Sequence, residues 1–505
     1  MLTIGEARTT IVGTPWRERI RRPADVCGCS KLDGSGVEPR LPERATRSPE
    51  RLALQDEGCA HQNDGSARLS AERGQTAIRR IRRRLIPFLA LLYLIAYLDR
   101  VNVGFAALQM NSALGLSSRV YGFGAGIFFL GYFLFEVPSN LALARVGARL
   151  WIARIAIVWG LVSIAMLFIT GPRSFYAMRF LLGAAEAGFF PGIVLYFTYW
   201  FPAPDRARAI AQFSTASMAA GIVGAPLSGV LLSLRGAGGL DGWQWLFLVE
   251  GIPAVVLGVV ALFYLTDRPE DAQWLPAEER AWLIDAMRRE RDALERPGAS
   301  SVRTGLFDPM VWRLALSMFL VVTSGYGFSF FLPQIVKAFS GASDLAVGMW
   351  TAIPFLVAAI GMVSVATHSD RTGERRRHAA ACAWLAAVGL TASSLLSAPA
   401  ARFGALSIAA IGLYSFTPPF WSLPTAFLRG DGAAAGIGLI NAVGNLGGFL
   451  GPYVMGWTRD ATGDYLAGLR FLAAAAVVSG ILVITARLKA SRYRDGNASV
   501  ALQRW

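Results

Sequence analysis

Twelve apolar stretches of about twenty residues, separated by polar turns, limit what this chain can fold into more than any other feature. A helix of that length crosses a hydrocarbon layer about 30 Å thick, and a water-soluble core has no use for so many of them. The runs fall near residues 85–108, 121–144, 151–170, 175–201, 207–233 and 244–266, then near 311–336, 345–367, 379–398, 403–427, 433–457 and 467–487. Between the two sets, Asp267 to Pro309 is dense in both signs of charge, with Arg280, Arg288, Arg289 and Arg291 among Glu278, Glu279, Asp285 and Glu290. That pattern predicts a solvated linker, partly an amphipathic helix.

The expected fold is an all-α membrane protein with twelve transmembrane helices in two pseudo-symmetric six-helix bundles. Its expected divisions are a disordered basic tail over 1–83, a first bundle over 84–266, a linker over 267–310, a second bundle over 311–488 and a tail over 489–505. Met1 to Thr10 contain no apolar core of a cleavable signal, so the first span is expected to direct insertion.

The net charge of +15 raises the question of nucleic acid, but the basic residues lie in the tail and in alternate turns. That placement follows the positive-inside bias of an inserted protein, so lipid is the expected surface partner and nucleic acid is not. The arginine-bearing turns put both termini in the cytoplasm and the chain in the plasma membrane. All basic residues except Lys31, Lys337 and Lys489 are arginine, and none of the three lysines follows a glycine. Without a Gly-Lys pair there is no phosphate-cradling loop for ATP, which excludes ATP-driven transport by this chain. Three His and four Cys give little material for a redox centre. Cys27-Gly-Cys29 and Cys59-Ala-His61 have one-residue gaps unsuited to a tetrahedral zinc site, and Cys382 in an apolar run is expected to pack. Neither metal nor cofactor is expected.

An internal repeat underlies the six-plus-six count. Arg145-Val-Gly-Ala-Arg149 after the second span corresponds to Arg371-Thr-Gly-Glu-Arg375 after the eighth, at an offset of 226 residues. Gly221-x-x-Gly224-Ala225-Pro226 corresponds to Gly448-x-x-Gly451-Pro452 at the same prolyl offset. Two motifs sharing one offset point to a tandem duplication with a cavity between the halves.

Asp370-Arg371-x-Gly373-x-Arg375-Arg376 and Arg179-x-x-x-Gly183 resemble the loop and fourth-helix motifs of the major facilitator superfamily. Within it, Leu98 to Ala106, Phe135 to Asn140, Arg179 to Gly192 and Trp245 to Pro253 resemble the anion:cation symporter group. That group includes tartrate, phthalate, sugar-acid and hydroxyphenylacetate permeases, with vesicular glutamate transporters as distant relatives. The resemblance runs from about residue 80 to 490 and implies a secondary transporter acting by alternating access. It also implies that Tyr132 faces substrate. Where the loop motif has a glycine and an aspartate, the first half has Asn140 and Ala144, so the latch there lacks its usual carboxylate. Ser217 replaces the glutamine of the sugar-acid branch, and Tyr326, Ser329 and Gln334 stand where the glutamate branch has an arginine. Both cargoes are thereby disfavoured.

An ionised side chain at the bilayer centre costs at least about 2.5 kcal/mol, so each one requires a partner, a watery cavity or a task. Asp99 and Arg100 lie in the first span, Arg179 and Glu186 in the fourth. Arg179 and Glu186 are two turns apart, on nearly the same face and about 10 Å apart along the axis. The expected arrangement pairs each arginine with a protein carboxylate or a substrate carboxylate. Arginine binds a carboxylate through two parallel bonds and stays charged, whereas Asp and Glu neutralise by taking up a proton. Arg100 and Arg179 are thus the expected anion ligands, and Asp99 and Glu186 the expected proton carriers. Glu136, followed by Pro138, is expected at a gate, and Glu250 in a structural role.

The second half offers rings rather than charges. Tyr326 and Trp421 are expected to line the cavity, the latter beside helix-breaking Pro418, Pro419 and Pro424, with Asn441 adding hydrogen bonds. Asp370, Arg371 and Arg375 are expected to latch the cytoplasmic side. The resulting expectation is a monomeric transporter importing a small organic anion, a mono- or dicarboxylate, with protons. A proton-coupled antiporter exporting amphipathic compounds is the first alternative, because Gly221 to Gly229 faintly resembles an antiporter motif. A polytopic membrane enzyme is the second.

Overall fold

The computed structural model describes residues 49–294, 302–428 and 430–486. The first six spans are built from α1 (Pro49–Ala113), α2 (Ser118–Val146), α3 (Ala148–Ala165), α4 (Pro172–Glu186), α5 (Phe189–Trp200), α6 (Ala203–Ser214), α7 (Ala216–Ser233) and α8 (Gly242–Tyr264). The linker holds α9 (Ala277–Leu294) and α10 (Val302–Phe307). The second six use α11 (Pro309–Ser340), α12 (Asp344–Thr372), α13 (Arg375–Leu395), α14 (Pro399–Ser415), α15 (Thr417–Trp421), α16 (Gly430–Thr462) and α17 (Leu466–Ile484). No strand occurs among the described residues. Eleven segments there are long and apolar enough to cross a membrane, and α16 is the twelfth long helix.

One boundary differs from expectation. A tail extending to residue 83 conflicts with α1, which reaches back to Pro49 and buries Ala77, Ile78 and Ile81. Ala77, Ile78 and Ile81 fall on one helical face, and the arginines around them mask that short stripe in the sequence. Cys27, Cys29, the segment 295–301 and the tail 489–505 lie outside the described residues, as do the side chains of Cys59 and His61. Cys382 is buried and unpaired.

The duplication is visible in the backbone. Gly115 ends the first helix with φ 61° and Gly341, 226 residues on, ends its counterpart with φ 63°. Gly147 (φ 103°) and Gly373 (φ 70°) stand at the same offset in the arginine-bearing turns. These left-handed conformations cost a side chain but not glycine.

The halves meet along α2 against α16 and α7 against α12, with α1 and α11 at the centre. A Cβ on Gly122 or Gly456 would run into the backbone of Pro452 or Ser118, so α2 and α16 touch main chain to main chain. The outer surface is apolar in the way lipid demands: Val363 and Val388 are at least 60% exposed, and Val223, Val256 and Ile360 are exposed with them.

Ion pairs mark the two ends. At the basic end, α9 is tied to the first half by Arg73–Glu278 (3.2 Å), Arg80–Glu279 (3.4 Å) and Arg206–Glu290 (2.7 Å). At the opposite end, Asp460 of α16 accepts from the Ser118 and Arg119 amides at 3.0 and 2.8 Å, so a carboxylate of one half caps a helix of the other. Gln109 of α1 donates to Asp344 of α12 at 2.7 Å beside the Lys337–Asp344 pair.

Candidate functional site

The fourth span is not one helix. α4 stops at Glu186, Ala187 is extended (φ −55°, ψ 133°), Gly188 is left-handed (φ 82°), and α5 begins at Phe189. A Cβ at Gly188 would press into the Ser139 side chain, so the break is packed in place. It presents Glu186 as the last residue of a half-helix in the middle of the membrane, where backbone irregularity persists only against protein or water.

Glu186, 1% exposed, pairs with Arg100 of α1. Arg100 also donates to the Tyr326 hydroxyl of α11 at 3.4 Å, and its guanidinium lies 5.3 Å from the rings of both Phe128 and Tyr132. Arg100 and Tyr326 are 226 residues apart, so they are repeat-equivalent positions meeting across the pseudo-twofold axis. Gly104 and Phe330, at the same offset, also touch.

Arg179 stands in a different environment from Arg100. It is fully buried, its guanidinium lies 5.0 Å from the Phe128 ring, and one nitrogen reaches the Ala125 carbonyl at 3.4 Å. Its Nε and Nη1 have no hydrogen-bond partner, and no carboxylate lies within ion-pair distance among the described residues. Of the two partners expected for each arginine, a protein carboxylate or a substrate carboxylate, Arg100 has the first and Arg179 does not. Asp99 is turned elsewhere: it accepts from Ser163 of α3 and, at 3.4 Å, from Asn102. Neighbouring residues on a helix point about 100° apart, which sends Arg100 to the seam and Asp99 into the first half.

The remaining candidates divide. Tyr132 and Tyr326 join the arginine site. Asn441 of α16 does not reach the arginines, but donates to Glu136 of α2 at 3.1 Å and so bridges the halves toward the basic end. Trp421 is not brought to the site: it packs edge-on against Phe420, 5.7 Å away, in a separate apolar cluster with Val311 and Leu314. Prolines 418, 419 and 424 end the helix there, but this turns the ring into the second half's own core. Asp370 pairs with Arg375 across a single turn, Arg375 also reaches Ser369 at 3.3 Å, and Arg371 is exposed. None of the three contacts the first half among the described residues.

Asp267 does what the absent aspartate at Ala144 was expected to leave undone. It follows the sixth span, accepts from the Arg149 amide at 2.8 Å and lies 3.7 Å from its guanidinium. Reading the sequence also missed Phe128, which both guanidinium groups share, and Tyr93, which packs at the site's edge on Phe190 and Phe213. The spacing Tyr93, Tyr97, Arg100 is i, i+4, i+7, one face of α1, and would have found the tyrosines.

Two stacked sets of helices around a buried arginine pair define a polytopic membrane transporter, not an enzyme. The family model described as Major Facilitator Superfamily matches residues 89–452, and the chain belongs to that superfamily. It is 52% identical over 407 residues to the "Putative tartrate transporter" of Agrobacterium vitis, covering 81% of this chain and 94% of the relative. It is 41% identical to the quinolone resistance transporter of Acinetobacter baumannii, covering 84% and 98%. Among solved structures, a bacterial homolog of the human lysosomal transporter Spinster, inward-facing and occupied, aligns at TM-score 0.66 and 19% identity, covering 80% of this chain and 96% of that one. That likeness concerns the fold.

Proposed function

We propose that the protein imports a small organic anion, a mono- or dicarboxylate, together with protons by alternating access. The observation carrying this reading is Arg179: a guanidinium with no exposure and unmatched Nε and Nη1. A buried unpaired charge costs several kcal/mol, and a carboxylate offering two oxygens removes that cost. Arg100 Nε and Glu186 Oε2 are likewise unmatched, so the site has spare donors and one spare acceptor. The tartrate in the name of the relative at 52% identity fits this chemistry.

Coupling arises from competition for Arg100. When Glu186 takes up a proton, Arg100 is released and both arginines face the substrate; when the proton leaves, the Arg100–Glu186 pair reforms and the anion is displaced. The tyrosine and phenylalanine walls suit a modest organic body. With the basic end and both termini assigned to the cytoplasmic side of the plasma membrane, the cross-half contacts of Asp460 and Asp344 support an outwardly closed state; the monomer is taken as the working unit.

In proteoliposomes, tartrate uptake should rise with an inwardly directed proton gradient and fall by about a hundredfold in Arg100→Ala. Glu186→Gln should keep exchange of internal for external tartrate and lose uphill accumulation; gradient-driven uptake by that variant at the wild-type level would remove Glu186 from coupling. The quinolone-named relative favours export of amphipathic compounds as the second reading. Norfloxacin efflux without any tartrate binding would select it.

A further inference from the structure

The arginine site leaves one buried acid without a role. Glu250 sits midway along α8, 3% exposed, on the face packed against α3 and α7. Ser228 of α7 donates to it at 3.5 Å, and the Asn102 side chain of α1 faces it while donating to Asp99 at 3.4 Å. Ser163 of α3 donates to the same Asp99 oxygen, Oδ1. Two carboxyl groups from different spans therefore lie on either side of a single amide, which is bonded to Asp99. Asp99 Oδ2, Asn102 Oδ1 and Glu250 Oε2, all on residues at least nine-tenths buried, have no partner.

The surroundings supply little positive charge. α7 has no ionisable residue, and neither does the short turn Met166–Phe168 that also packs on α8. The basic residues of α3 are engaged elsewhere: Arg149 with Asp267, and Arg154 over the Trp151 ring. Arg179 and Glu186 approach only the Asp99 side. Two ionised carboxylates here would face each other across an amide with one distant guanidinium, an arrangement low-polarity surroundings do not sustain.

We propose that Glu250 and Asp99, bridged by Asn102, form a proton-holding pair behind the arginine site, and that Glu250 is a further coupling residue. This rests on the proton-symport reading above. α1 joins the two sites because Asp99 and Arg100 are consecutive. With a proton on the pair, Asp99 is neutral and Arg179 is free for the anion. When that proton passes to water, the ionised Asp99 attracts Arg179 and competes with the bound carboxylate.

The test uses the full chain in proteoliposomes with tartrate as probe. Glu250→Gln should keep counterflow exchange within about twofold of wild type and lower proton-gradient-driven accumulation about tenfold or more, while Glu250→Asp restores a substantial part of it. Undiminished accumulation by Glu250→Gln overturns the proposal, as does a parallel loss of exchange and accumulation in both variants while each elutes as folded protein. Should Glu250→Gln fail to fold, Ser228→Ala is expected to move the pH midpoint of uptake by about half a unit or more, and an unmoved midpoint overturns the proposal. A wild type that exchanges tartrate but ignores the proton gradient overturns the symport reading and this pair with it. A wild type driven equally by a sodium gradient leaves symport standing and reassigns the pair to a metal cation.

Discussion

Arg100 and Tyr326 occupy one position of a duplicated plan and touch across its axis, yet one is a permanent cation and the other a neutral hydroxyl. The same division runs through the site: the first half supplies Arg179 and Glu186, with Asp99 and Glu250 buried behind them, while the second supplies Tyr326, Phe330 and Asn441. Two equally charged halves would set like charges against each other at the axis, where they approach closely. Confining charge to one half leaves the other as an uncharged wall; on the symport reading proposed above, the anion is held against that wall and proton exchange stays in a single bundle.

The largest effect expected from this asymmetry is at Arg179. Arg179→Ala should abolish tartrate uptake, by about a hundredfold or more, and Arg179→Lys should not restore it, because an ammonium lacks the planar fork. Uptake by Arg179→Lys near the wild-type rate would refute recognition through paired hydrogen bonds. Tyr326→Phe, which removes only the hydroxyl accepting from Arg100, should raise the KM for tartrate about five- to tenfold with kcat nearly unchanged, as the loss of about 1 kcal/mol implies. If Tyr326→Phe equals Arg100→Ala in effect, the second half is more than a wall.

The basic-end turns give a smaller contrast. Asp370 is two-thirds exposed and its pair with Arg375 closes one local turn, so Asp370→Ala should leave thermal stability nearly unchanged. Asp267 is less exposed and receives the Arg149 amide from 118 residues away, so Asp267→Ala should cost about 1–2 kcal/mol, read as a lower unfolding midpoint in detergent. Equal shifts would erase the distinction between the turns.

The smallest effect belongs to Asp460. Burial alone would raise its pKa, but hydrogen bonds from Ser117, Arg119 and Ser118 outweigh this and hold it below the usual carboxylate range. A depressed carboxylate stabilises the closed end above about pH 4, where it is ionised in either state, and loses that contribution as pH falls through its lowered value. Closure measured by cysteine labelling at this end should therefore be flat from about pH 5 to 8. Asp460→Asn should weaken it by about 1 kcal/mol across that same range of about pH 5 to 8.

The spans are legible in the sequence because crossing a bilayer fixes length and polarity together, and the duplication is legible because Gly147 and Gly373 are each required by a turn. The types of charge at the site can also be read. Their pairing cannot. Which carboxylate meets Arg100 depends on how α1 is rotated and on the break at Ala187–Gly188, which resets the phase of the fourth span; regular helical geometry continued through that break misplaces every residue of α5. Asp267 is hidden for another reason: no periodicity connects a residue after the sixth span to a turn after the second. Trp421 is ambiguous because prolines beside rings fit a cavity wall and a packed helix end equally well.

The stitching of α9 has a mechanical consequence. Glu278, Glu279 and Glu290 fasten α9 to α1 and α6, whereas α10 rests against α16 at Gly305 and Gly432. The two linker helices are thus divided between the bundles, and any rocking of one bundle against the other carries α9 with the first and α10 with the second.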